Sequence, residues 1–78
     1  MNIAIFGLGY VGLAAAACFL RDGHNVYGVD VDESKVSMLN SGRCPISEPG
    51  LGELLAEGVA SGSFFATNSA EVAVENTD

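Results

Sequence analysis

Apolar positions along this chain alternate between strand-like runs and helix-like spacing. Ile3-Ala4-Ile5-Phe6 is uninterrupted and predicts a buried strand, and Gly7-Leu8-Gly9-Tyr10-Val11-Gly12 follows it without a gap. From Tyr10 to about Leu20 the small residues Gly12, Ala14, Ala15, Ala16 and Ala17 predict a helix able to lie close on a sheet, with Gly23 as its C-terminal cap. Asn25-Val26-Tyr27-Gly28-Val29-Asp30 predicts a second buried strand that ends on an acid. Asp32 is placed to cap a second helix from about Glu33, with Val36 and Leu39 on its apolar side and Ser41-Gly42 as its stop. Pro49 suits the first turn of a third helix, in which Leu51, Leu54, Leu55 and Val59 fall at helical spacing before Ser61-Gly62. Phe64-Phe65-Ala66-Thr67 predicts a short strand, and Asn68 or Ser69 caps a last helix through Val74.

Strand, glycine turn, helix, strand is a βαβ unit. A crossover of this length between parallel strands is right-handed in nearly all cases, so both strands end on one edge of the sheet and the glycine loop becomes a neighbour of Asp30. The three strands order as 3-2-1. The fold class is α/β, the first half of a doubly wound, Rossmann-type parallel sheet. With 78 residues, against the roughly 150 or more of a complete fold of this kind, the chain reads as an incomplete domain. Residues 1–78 are then the N-terminal part of a larger Rossmann-type domain. Strand one carries an apolar edge that a further strand would cover, so the piece alone is expected to be marginal or to associate.

Charge narrows the range of partners. Ten acidic and three basic residues give a net charge of -7, and no Lys/Arg cluster exists to neutralise a nucleic acid or an anionic membrane surface. A bound phosphate must therefore be held by main-chain amides. Residues 3–20 carry no charge, and Ala14-Ala15-Ala16-Ala17-Cys18 resembles a signal-cleavage region, but no basic residue precedes the run and three glycines interrupt it. Cys18, Cys44 and the single His24 lack metal-ligand spacing, so the two cysteines read as free thiols in a reducing cytoplasm and no metal site is expected.

Each glycine of the G-x-G-x-x-G string has a mechanical task when a strand precedes it and a helix follows. Gly7 permits the tight turn, Gly9 leaves room for a pyrophosphate against the backbone, and Gly12 lets the helix approach the sheet. The amides of Tyr10 and Val11 would face the phosphates at the positive end of the helix, their side chains serving only to pack. Asp30 lies 18 residues beyond Gly12, near the separation of about 20 at which an acid meets the adenosine ribose. As a charged acceptor for the ribose hydroxyls it contributes about 1.5–3 kcal/mol. It also repels a 2′-phosphate, which favours NAD over NADP. Lys35 sits in the first turn of the second helix, the wrong end of the dipole for a cation, so Asp32 or the cofactor ribose must compensate it. His24 looks exposed beside Gly23 and has no catalytic partner. Glu48-Pro49 starts a helix, and no Ser/His/Asp set or carboxylate pair stands out.

Three segments, Phe6-Gly7-Leu8-Gly9-Tyr10-Val11-Gly12, Gly28-Val29-Asp30-Val31-Asp32 with Lys35, and Pro45-Ile46-Ser47-Glu48-Pro49-Gly50-Leu51, together resemble the amino-terminal part of the nucleotide-sugar 6-dehydrogenases. This is the UDP-glucose/GDP-mannose dehydrogenase family, and the first segment leans toward its GDP-mannose members. The resemblance implies a cytoplasmic, homo-oligomeric enzyme that oxidises a sugar C6 alcohol to a carboxylate in two steps, with two NAD and a covalent thiohemiacetal on a catalytic cysteine. It implies that the amides of Tyr10 and Val11 hold the pyrophosphate and that Asp30 and Lys35 hold the adenosine ribose. Gly7, Gly9, Tyr10, Val11, Gly12, Asp30 and Lys35 are thus the expected cofactor site, with no catalytic residue in this chain. The family's catalytic cysteine, lysine and asparagine lie far downstream, so neither Cys18 nor Cys44 is a nucleophile. Two other readings share the fingerprint. One is a non-catalytic NAD-sensing module, told apart by downstream sequence; the other is an FAD enzyme, told apart by its absorbance.

Overall fold

The structure, a computed structural model, describes residues 1–77. Strands β1 (Asn2–Phe6), β2 (Asn25–Val29) and β3 (Phe64–Thr67) form one parallel sheet in the order β1-β2-β3, the same sheet that 3-2-1 denotes. Helix α1 (Tyr10–Arg21) joins β1 to β2, α2 (Glu33–Asn40) and α3 (Leu51–Ser61) lie between β2 and β3, and α4 (Ala70–Glu75) follows β3.

Register explains which residues make the core. Ile3 pairs with Val26 and Val26 with Phe64, while Ile5 pairs with Gly28 and Gly28 with Ala66, so these side chains share one face of the sheet. Helices α1 and α3 cover that face and pack on each other, burying Leu13, Ala16, Ala17, Leu51 and Leu55 with Val26, Phe64 and Ala66. Gly58 makes this close approach possible, since a Cβ there would lie 2.9 Å from Leu20 Cδ1 and 3.0 Å from Phe64 Cβ. The opposite face carries Ala4, Phe6, Tyr27, Val29 and Phe65. Only α4 lies across it among the described residues, through the buried Ala73, and Tyr27 meets Phe65 edge to face with ring centroids 6.0 Å apart.

Three helices stop in the same way. After α1 the N–H of Gly23 donates to Leu20 O and that of His24 to Phe19 O; Gly42 and Arg43 repeat the pattern on Leu39 and Met38, and Gly62 and Ser63 on Val59 and Gly58. Each glycine has positive φ, +91°, +84° and +79° in turn, which a side chain rarely adopts. Pro49 does not open α3. Gly50, at φ +82°, is the residue before the first helical one, and Pro49 precedes it in the loop. Of the two candidate caps for α4, Ser69 is the one used, accepting from the Val72 N–H, whereas Asn68 donates to Glu33 Oε1 at 3.1 Å. His24 is half-buried rather than exposed, lying against Phe19 with centroids 6.1 Å apart.

Candidate functional site

At the carboxyl ends of β1 and β2 the chain turns twice within a few ångströms. Gly7 leaves β1 at φ +93°, a conformation that requires glycine, and its N–H still donates to Val29 O at 2.8 Å. Leu8 then drops its side chain, fully buried, onto Gly28 of β2, where an added Cβ would lie 2.7 Å from Leu8 Cδ2. Gly9 is the residue before α1. The first intrahelical bond runs from Leu13 N–H to Gly9 O, so the N–H groups of Tyr10, Val11 and Gly12 have no partner in the helix. No acidic residue or side-chain cap occupies this turn. Tyr10 and Val11 are 55% and 79% exposed, so packing is not what their side chains do.

The glycines differ in what demands them. At Gly12 a Cβ would collide with the Gly7 carbonyl oxygen, so α1 needs glycine to sit where it does. Gly9 has φ -78°, open to any residue, and an added Cβ there meets nothing within 4 Å. Neither conformation nor internal packing calls for glycine at that position; what its bareness provides is room beside the open amides for an anionic group.

Asp30 stands one residue past β2, beside this loop. Its Oδ2 accepts from the Leu8 N–H at 2.9 Å and its Oδ1 from the Asp32 N–H at 2.9 Å. These two amides, and after them the Lys35 ammonium, hold its carboxyl below the ordinary 3.8, against the opposing effect of partial burial. Lys35 Nζ lies 3.7 Å from Asp30 Oδ2, with the two side chains 26% and 13% exposed. Of the two compensators expected for Lys35, Asp32 is not the one its ammonium meets. Asp32 is engaged as the cap of α2, its Oδ1 accepting from the Ser34 and Lys35 N–H groups, and the ammonium turns to Asp30 instead. A carboxylate offers about four acceptor positions, so Asp30 keeps capacity for ligand hydroxyls. Gly7, Gly9, Tyr10, Val11, Gly12, Asp30 and Lys35 are gathered at one edge of the sheet, with anion-seeking amides on one side and a hydroxyl-accepting carboxylate on the other. A diphosphate joined to a ribose fits that order.

Sequence reasoning missed three contributors. Leu8 joins the loop to Asp30 through its N–H, and its signal was Gly28, a glycine inside a strand that marks a close approach. Asn40 binds β3, as described below, and Asn68 holds α2 through Glu33. His24, Cys18 and Cys44 lie outside this group, both cysteines are free, and among the described residues no cluster of three or more His, Cys, Asp or Glu is placed to hold a metal ion.

A parallel βαβ sheet with an uncapped, glycine-entered helix and an acid at the end of its second strand defines a dinucleotide-binding domain of the NAD type. Residues 1–78 match the family model for the UDP-glucose/GDP-mannose dehydrogenase family, NAD binding domain, and the chain belongs to that family. It is 53% identical over 78 residues to the GDP-mannose 6-dehydrogenase of Azotobacter vinelandii, covering 100% of this chain and 18% of that protein. With the same coverage it is 47% identical to the UDP-glucose 6-dehydrogenase of Rhizobium meliloti. Among solved structures, the GDP-mannose dehydrogenase from Pseudomonas aeruginosa, crystallised as a ternary complex, matches with a TM-score of 0.95 and 46% identity over 100% of this chain and 18% of its own. The chain thus spans 18% of the length of these relatives. No helix among the described residues is long and apolar enough to cross a membrane.

Proposed function

We propose that residues 1–78 are the cofactor-binding start of a GDP-mannose 6-dehydrogenase, the N-terminal part of its NAD-binding domain, in a cytoplasmic homo-oligomer that oxidises the sugar C6 alcohol to a carboxylate. The observation that supports the reading is the Leu8 N–H to Asp30 bond, which holds the carboxylate against the glycine loop that leads into α1. NAD, when bound, supplies the hydride acceptor for such an oxidation. The chain's own part is to hold it. The N–H groups of Tyr10 and Val11 receive the diphosphate, bare Gly9 admits it, and Asp30 accepts from the ribose hydroxyls while Lys35 steadies the carboxylate. The same charge disfavours a 2′-phosphate.

The preference for GDP-mannose is supported by the 53% identity to the Azotobacter enzyme, but the Rhizobium UDP-glucose 6-dehydrogenase at 47% keeps UDP-glucose as the second reading. The free thiols of Cys18 and Cys44 support a reducing compartment. The test is NADH release by the full-length protein with each nucleotide sugar. Reduction of NAD with GDP-mannose and not UDP-glucose is expected; activity with UDP-glucose alone selects the second reading, and activity with neither refutes both. In the active enzyme Asp30→Ala is expected to weaken NAD about 10- to 100-fold, from a charged hydrogen bond of about 1.5–3 kcal/mol, while improving relative use of NADP.

A further inference from the structure

Lys35 reaches Asp30 only if α2 is correctly placed; Leu39 and the partly buried Val36 pack the helix on the core, and polar bonds tie its two ends. The helix has 8 residues, and Leu39 is the one it buries. Its first residue is tied by the Asn68 Nδ2 to Glu33 Oε1 bond, which is exposed. Its last residue, Asn40, is tied differently. The Asn40 Nδ2 donates to Ala66 O at 2.7 Å and the Ala66 N–H donates to Asn40 Oδ1 at 2.8 Å, both partly buried.

Ala66 lies on the free side of β3. Val26 N–H donates to Ser63 O and Asp30 N–H to Thr67 O, so the odd-numbered residues of β3 face β2 and Ala66 turns its main-chain groups outward. The carboxamide of Asn40 meets them as a neighbouring strand would. A planar group bonded at two points fixes direction as well as distance. Lys35 is five residues earlier on the same helix, about 7.5 Å along its axis, so a swing at Asn40 is carried to the ammonium.

We propose that Asn40 is a positioning residue for the ribose end of the cofactor site: its two-point pairing with Ala66 sets α2 so that Lys35 stays against Asp30. The inference rests on the cofactor reading above and adds to it a residue that touches no ligand. It is tested by a double-mutant cycle in the full-length enzyme. Asn40→Ala and Lys35→Ala are each expected to raise KM for NAD about 5- to 10-fold with kcat altered less than about twofold, and the double variant no more than the larger single one. A purely stabilising role for Asn40 would leave KM unchanged well below the melting temperature, or would make the two losses multiply; either result overturns the proposal. Lys35→Ala without effect on KM overturns the ribose role of Lys35 itself, which is a separate failure. Should Asn40→Ala not fold, the cycle is read on Asn40→Asp, which keeps volume and the acceptor but loses the donor to Ala66 O.

Discussion

Alanine at Gly12 and alanine at Gly9 add the same methyl group with different consequences. At Gly12 it drives into the Gly7 carbonyl, a methyl against main chain that cannot swing aside, and α1 must move off the sheet. A loss of about 1–3 kcal/mol, the usual cost of overpacking, is expected in urea unfolding of Gly12→Ala. Gly9→Ala meets no protein atom within 4 Å, so its stability should change by less than about 1 kcal/mol; its affinity for NAD should fall nonetheless. Equal affinity in Gly9→Ala and wild type would show that the space is not the diphosphate's. Asp30 offers a test by pH. Because its folded pKa lies below the ordinary 3.8, its stabilising contribution is fully present above that value and is lost as pH falls through the lowered one. The stability gap between wild type and Asp30→Asn should therefore be wide at neutral pH and close on acidification below 3.8. A gap constant with pH would mean that the charge contributes nothing.

The elements were legible because each is punctuated locally. Apolar runs end at glycines, and Gly23, Gly42 and Gly62 each take the left-handed conformation that stops a helix. Asp32 and Ser69 cap their helices through bonds to residues two or three positions on, a distance over which sequence is a reliable guide. What sequence left unread depends on contacts distant along the chain. Asn40 meets Ala66 across 26 positions, and Leu8 meets Asp30 across 22. No periodicity announces either bond. Spacing makes Asp32, three residues back, one of the two candidate partners of Lys35, but a capping carboxylate faces the amides of its own helix and the ammonium meets Asp30. Pro49 lies two residues ahead of the first residue of α3 rather than in its first turn, because Gly50 makes the turn that starts the helix.

Across the whole molecule the sheet is unevenly covered. The α1–α3 side is closed, whereas Phe6, Phe65 and Val74 remain 59%, 46% and 60% exposed on and around the α4 side. At the β3 margin Asn40 caps Ala66, but β1 has no strand on its outer side among the described residues. Apolar area beside an open strand edge favours association. Residues 1–78 produced alone are expected to self-associate or to unfold with little cooperativity, as measured by equilibrium sedimentation and urea titration. A stable monomer that unfolds in one sharp transition would show that no further chain is needed to complete the domain. The bond between Leu8 and Asp30 has a different kind of consequence. It fastens the loop to Asp30, the residue after the second strand, by a bond internal to the protein that needs no nucleotide to form. A dinucleotide bound as proposed meets a loop already tied in place, and the entropy that ordering a loose one would cost is not subtracted from its affinity.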